Sequence, residues 1–449
     1  MARRQVGLAG LASFGFAAAL LGGCSGGSPA PSATLNGTVE GLQAGGTLSL
    51  AAGGLTLDVV QGAGFVALKS IVVGVGFEPG ASYTVGITRH PLGQRCTVTS
   101  GESGVFTLSG NHLQIECATE VLNDTGIDDG PAGRDAEAAR LTKVGAGALG
   151  FDFSALCASG AVLGTPGAAC ATATPAAPGE AWTCTRDNVT GLVWLKASQA
   201  YVAPSSLPAA PADGTCGRTG WRLPTVHELL SIVHGGVPSS AVTAGVDPAY
   251  FPATAAQPYI SAEAYLDGAP TPSPWAVHFG EQGLTGQYVG GAAQLRWVAG
   301  APRLADPASD RLSITTTTAS YSVMLDDARS LYWLVPKVAT PLAWAAVPAD
   351  LATYNGHAAG GFDDWRLPNR SELDSLARRG RSSPAVDPAL AALRAQTNDF
   401  NRGFWSASSA ASDATLAWVV DLTLGDISPQ LKTSQADVVY VRNRAFNGR

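Results

Sequence analysis

Trp221-Arg222-Leu223-Pro224-Thr225-Val226-His227-Glu228-Leu229 recurs further along the chain as Trp365-Arg366-Leu367-Pro368-Asn369-Arg370-Ser371-Glu372-Leu373. In the first copy Thr225 stands where a helix N-cap would, with Glu228 three residues on. That is the spacing of a capping box, in which each side chain satisfies a free backbone N–H at the helix start. Asn369 and Glu372 keep the same geometry in the second copy. Leu229, Leu230, Ile232 and Val233, answered by Leu373 and Leu376, then supply an apolar stripe at helical spacing. The nine residues therefore predict a short lead-in strand that turns at proline into a buried helix, twice.

The flanks of this element repeat as well. Asp187 through Leu192-Val193-Trp194 answers Asp326 through Leu331-Tyr332-Trp333, and Val246-Asp247-Pro248-Ala249 answers Val386-Asp387-Pro388-Ala389. Pro258-Tyr259-Ile260-Ser261-Ala262 answers Gly403-Phe404-Trp405-Ser406-Ala407; Trp275-Ala276-Val277 answers Trp418-Val419-Val420; Val298 answers Val441. Blocks in one order at offsets of 139 to 145 residues indicate two copies of one domain.

Upstream, short alternating runs at 34–42, 47–50, 55–60, 83–88, 104–108 and 112–117, separated by Gly-rich turns, predict a small antiparallel β-sandwich. The first 24 residues read as an export signal: Arg3 and Arg4 precede an apolar stretch from Val6 to Leu21 that is short for a membrane span. It ends in Leu21-Gly22-Gly23-Cys24, which resembles the lipobox of bacterial lipoproteins, with Cys24 as the lipid attachment residue. A Ser/Gly/Pro-rich tether follows. The other six cysteines pair most simply with their nearest neighbours, Cys96 with Cys117, Cys157 with Cys170 and Cys184 with Cys216, although spacing alone leaves other connectivities open. Disulfides fit an exported chain, and no Cys-x-x-Cys spacing favours zinc or thioredoxin-type chemistry. The expected division is 1–24 signal and lipobox, 25–33 tether, 34–118 sandwich, 119–180 disulfide-stapled connector, 181–300 first repeat, 301–320 linker and 321–449 second repeat.

The Asp-Asn-Val-Thr-Gly-Leu-Val-Trp run at 187–194, the two Trp-Arg-Leu-Pro elements and the closing Trp-x-Val strands resemble the Lcl C-terminal domain family, known from the tail of a bacterial collagen-like adhesin and from many exported bacterial proteins. The resemblance covers roughly 180–300 and 320–449. It implies two α+β, C-type-lectin-like domains akin to the formylglycine-generating enzymes. The second copy departs from the pattern, because Asp326-Asp327-Ala328-Arg329-Ser330 replaces the Asn-Val-Thr-Gly turn and it carries no cysteine pair.

Charged residues make up 14% of the chain with a net charge of −7, so no cationic field invites nucleic acid. His227, Glu228 and His234 miss the His-Glu-x-x-His spacing of a zinc helix, since Ser231 stands where the second histidine belongs. Glu228 is read as the capping partner, the two histidines as surface or boundary groups, and His278 and His357 as without a role. No metal site is assigned. Asp124, Asp128, Asp129, Asp135 and Glu137 offer oxygen ligands for calcium but lack the EF-hand order, so a solvated loop with no cofactor is the expectation. The six tryptophans at matched positions, Trp194, Trp221, Trp275, Trp333, Trp365 and Trp418, read as core, whereas Trp297, Trp344 and Tyr265 are the aromatics expected to offer exposed contacts. Neither a Gly-x-Ser-x-Gly elbow nor a phosphate loop occurs. Together these features predict a non-enzymatic, lipid-anchored outer-membrane protein, periplasmic or surface-exposed, that binds a glycan or protein ligand. The alternatives are a structural or assembly lipoprotein and an enzyme of the formylglycine-generating type.

Overall fold

The computed structural model describes residues 32–118, 122–127, 151–163, 170, 182–302 and 311–443, apart from short breaks within these stretches. The lipobox with Cys24 and the acidic residues Asp124, Asp128, Asp129, Asp135 and Glu137 lie outside the described residues.

Strand alternation builds the first unit. Its strands are β1 (Ala33–Glu40), β2 (Thr47–Ala52), β3 (Leu55–Val60), β4 (Leu68–Phe77), β5 (Ser82–Arg89), β6 (Arg95–Ser100), β7 (Ser103–Val105) and β8 (Asn111–Ala118). They form two sheets, β4-β1-β8-β6 and β3-β2-β5-β7. Inward residues such as Leu35, Val39, Leu48, Leu50, Leu113 and Ile115 make a core of their own. Two strands escape the alternation reading, β4 and β6; β4 is a valine and glycine run with little period-2 contrast. The expectation of a purely antiparallel sandwich is also corrected, because β1 pairs with β8 in parallel. Gly37 permits that contact, since a Cβ there would stand 2.6 Å from the Leu113 carbonyl oxygen.

The first repeat contains β9 (Phe153–Leu156), β10 (Cys184–Asp187), β11 (Val193–Leu195), β12 (Gln199–Val202), α1 (Val226–Ser231), β13 (Pro258–Ala264), β14 (Pro274–His278), β15 (Leu284–Gln287), β16 (Ala292–Leu295) and β17 (Val298–Ala299). The second contains β18 (Leu312–Thr317), β19 (Tyr321–Asp326), β20 (Leu331–Pro336), β21 (Leu342–Ala343), α2 (Val347–Gly356), α3 (Arg370–Asp374), α4 (Pro388–Arg394), β22 (Phe404–Ala410), β23 (Asp413–Asp421), β24 (Asp426–Leu431), β25 (Gln435–Ala436) and β26 (Tyr440–Asn443). Sheet β9-β10-β11-β17 matches β18-β19-β20-β26, and β13-β14-β15 matches β22-β23-β24. The register repeats too: Trp194 stands opposite Val298 and Trp333 opposite Val441. Strands dominate both repeats, and the described helices are short.

Two boundaries shift. The connector predicted over 119–180 contributes β9, and the linker predicted over 301–320 contributes β18; each is the edge strand of its repeat's sheet. Phe153, Ala155 and Leu156 are buried there, which is why so short a strand is retained.

A single hydrophobic core joins the two halves. Trp194, Leu229, Tyr259 and Trp275 of the first repeat pack in one cluster with Trp333, Leu373, Phe404 and Trp418 of the second. The repeats are two lobes of one packed body.

Candidate functional site

The doubled element is built identically in both lobes. Arg222 exchanges backbone hydrogen bonds with Val298, each 3.0 Å, and Arg366 does the same with Val441 at 3.0 and 2.8 Å. The carbonyls of Pro224 and Pro368 accept from Ala262 and Ala407 on β13 and β22, at 2.8 and 2.7 Å. Both capping boxes are present, Thr225 with Glu228 and Asn369 with Glu372. Each glutamate is also gripped by both terminal nitrogens of the motif arginine, Arg222 to Glu228 at 2.7 Å twice and Arg366 to Glu372 at 2.7 and 2.6 Å. This charge-assisted fork ties the bridge before the proline to the helix after it. Trp221 and Trp365 are buried beside it, so the element is a brace.

The two braces meet at the seam between lobes, where α1 packs against α3. Matched positions differ in character there: Val226, His227 and Leu230 face Arg370, Ser371 and Asp374 as their counterparts. His227 Nδ1 meets the Asp374 carboxylate, and its Nε2 lies 3.2 Å from the Ala377 carbonyl oxygen. Arg379 donates to Asp374 and to the Gly425 carbonyl, both at 2.6 Å, and stacks over Trp275. Arg370 donates to the Gln282 carbonyl at 2.5 Å and stacks over Trp418. Nearer the edge, the Tyr265 hydroxyl donates to Asp426 at 2.9 Å, and Ile427 N–H donates to Thr285 Oγ1 at 2.7 Å. Burial pushes the Asp374 carboxyl up, but Arg379 and then His227 outweigh it and hold the group down at about 2. Burial raises Asp426 against the pull of Tyr265 and Arg379.

This corrects the reading of His227 and His234 as surface or boundary groups; both are buried, His227 in the seam and His234 beside Phe151. The signal for the seam lay in the repeat itself, where the apolar Val226 and Leu230 of one copy are answered by the charged Arg370 and Asp374 of the other inside an otherwise buried helical stripe. The expectation of exposed aromatics is corrected as well. Trp297 is buried with its Nε1 donating to Gln199 at 2.8 Å. Trp344 is half-buried, its Nε1 donating to the Ser406 carbonyl at 2.9 Å while the Lys432 ammonium covers its ring. Tyr265 is half-buried against Trp275. The six matched tryptophans are all buried. His278 sits 3.7 Å from Glu281, and His357 is exposed at the end of α2.

Disulfides join Cys96 to Cys117, Cys157 to Cys170 and Cys184 to Cys216. The first is a direct cross-strand pair between β6 and β8. The third fastens β10 to the turn just before Trp221. Among the described residues no group of three or more His, Cys, Asp and Glu side chains could hold a metal ion, and no helix is long and apolar enough to cross a membrane.

The family model for the Lcl C-terminal domain matches residues 183–299 and again 322–442, together more than half of the chain. The chain belongs to the Lcl C-terminal domain family. No curated protein matches it. Both Lcl C-terminal domain matches begin inside their sheets, after β9 and β18, so each domain's edge strand lies outside the matched residues.

Proposed function

We propose that this Lcl C-terminal domain protein is a lipid-anchored protein of the bacterial envelope, held through Cys24, whose paired domains bind a glycan or protein ligand without catalysing a reaction. The observation that carries the reading is the inward commitment of the doubled element's chemistry. Arg222, Glu228, His227, Arg366, Glu372 and Asp374 all bind one another or backbone inside a disulfide-braced body. Recognition is then left to the outer strands and loops. Three disulfides suit an oxidising compartment, in keeping with the export signal and lipobox. The C-type-lectin-like arrangement implied by the family resemblance belongs to the same reading. A second reading, assembly with other envelope proteins, draws on the edge strand β4, where Val72 and Val75 face solvent at 57% and 66% exposure.

The test is a glycan-array screen of the soluble body, residues 33–449, with and without calcium. Selective binding supports the adhesion reading. Absence of binding in both conditions shifts the weight to assembly, and turnover of a thiol substrate would overturn both.

A further inference from the structure

Asp187 ends β10 and Asp326 ends β19, and Ser231 and Ser375 close the matched helices α1 and α3. In the second lobe Arg311 bridges aspartate and serine: its Nε lies 3.1 Å from the Asp326 carboxylate, and its Nη2 donates to the Ser375 carbonyl at 2.5 Å. Arg329 brings a second cation to the same carboxylate at 3.0 Å. In the first lobe a neutral amide makes that bridge. Asn123 Nδ2 donates to Asp187 at 2.7 Å and to the Ser231 carbonyl at 2.9 Å, and Thr190 stands at the place of Arg329. Arg311 directly precedes β18, whereas Asn123 stands far ahead of β9, just past the last strand of the sandwich.

The segment that carries Asn123 sits in a slot of the first lobe. Asn123, Thr125 and Ile127 are 3%, 1% and 0% exposed. The Thr125 carbonyl accepts from the Gly235 N–H at 2.7 Å. Two glycines past α1 open the slot, since a Cβ at Gly235 would stand 2.9 Å from Ile127 Cγ1 and one at Gly236 would stand 2.2 Å from the Gly126 carbonyl oxygen. The second lobe has Arg379 at the place of Gly235.

Asn123 fills this slot imperfectly. Its Oδ1 is buried and accepts no hydrogen bond, and among the described residues every donor to Asp187 is neutral. An unsatisfied buried acceptor and a buried carboxylate without a counter-charge are both costly. Arginine carries donors only and a permanent charge, so at this place it removes both costs.

We propose that the Asn123 segment is an internal stand-in, and that the first lobe takes a protein partner through an arginine that displaces Asn123 and pairs with Asp187 and the Ser231 carbonyl, as Arg311 does with Asp326 and Ser375. The assignment rests on the ligand-binding reading above and narrows the ligand to a protein segment that presents an arginine. The longer side chain reaches the carboxylate while the partner's backbone stays further out than that of Asn123. The displaced segment remains tied to the lobe by the chain and so competes at high effective concentration.

The experiment measures, by fluorescence anisotropy at about pH 8, where Asp187 is ionised, the binding of two labelled peptides to the full mature chain with Asn123→Ala, whose own segment has lost its hold on Asp187. Both peptides have the sequence of residues 121–127, and one of them carries Asn123→Arg. The arginine peptide is expected to bind roughly tenfold more tightly than the asparagine peptide, and Asp187→Asn added to that chain is expected to remove the preference. On the unaltered chain, a saturating amount of the arginine peptide is expected to speed hydrogen exchange at the chain's own Thr125 and Ile127 amides, because their segment is expelled. Equal binding of the two peptides, binding of neither, a preference that survives Asp187→Asn, or exchange at Thr125 and Ile127 that the peptide leaves unchanged each overturns the proposal. None of these outcomes touches the glycan array, so the broader reading stands or falls separately.

Discussion

Asp187 and Asp326 hold the same place in the two repeats, and both are fully buried, but their neighbours differ. Asp326 is paired with Arg329 at 3.0 Å and Arg311 at 3.1 Å. Asp187 meets only neutral donors: the Thr190 hydroxyl and the Asn123 amide at 2.7 Å, with the Val189 N–H at 2.9 Å. Burial therefore prevails over those hydrogen bonds and pushes the Asp187 carboxyl up to about 6. The folded chain then holds a proton between about pH 4 and 6 that the unfolded chain has released. Stability from this group is full below that window and is lost as pH rises through it, by about 3 kcal/mol. Asp187→Asn is expected to remove this fall, seen as a flatter stability curve by urea unfolding from pH 4 to 7. Parallel curves for the variant and the parent chain would refute the assignment.

At the scale of elements, the two repeats reach one geometry by different fastenings. In the first, Cys184–Cys216 secures the turn leading to Trp221. In the second, Asn355 from α2 brackets the Trp365 backbone, accepting from its N–H at 2.8 Å and donating to its carbonyl at 2.9 Å. Loss of either capping side chain, Thr225→Ala or Asn369→Ala, is expected to cost about 1 kcal/mol, measured by chemical denaturation. The arginine–glutamate braces are not equivalent, because the Arg222 side chain is 24% exposed and Arg366 only 5%. Water can take over for Arg222 but scarcely for Arg366. Glu372→Gln is therefore expected to destabilise more than Glu228→Gln, by about 1–2 kcal/mol, and equal losses would show that exposure does not set the cost.

Over the whole molecule the seam decides the behaviour. Since the lobes share one core and a buried His227–Asp374–Arg379 cluster, they are expected to unfold in one transition. Hydrogen exchange should show β13–β15 and β22–β24 opening together; two separated transitions would refute it. Asp374→Asn would strand Arg379 in the core, at an expected cost of about 3–5 kcal/mol, checked by urea unfolding at neutral pH. Its acid response has the opposite sign to that of Asp187. With its carboxyl held at about 2, Asp374 gives stability that is full above pH 4 and lost as pH falls toward 2. Truncation to a single repeat exposes the apolar seam, so function is better divided between lobes by point substitution than by separation.

The sequence alone determined what depends on neighbours a few residues away. The capping boxes at Thr225 and Asn369, the alternation of β1 and β2 and the repeat itself are all encoded in spacing, whereas the pairing of the six cysteines was one of several that spacing allowed. Edge strands β9 and β18 were illegible because β9 is only four residues long and β18 buries only Leu312 of its six, so neither carries a period to read. The burial of His227, the neutral surroundings of Asp187 and the occupation of Trp297 and Tyr265 were decided only in the tertiary structure. Their partners lie up to some 160 positions away along the chain. A side chain's cost or use depends on the charge and solvent around it, and for these residues folding alone assembles that surrounding.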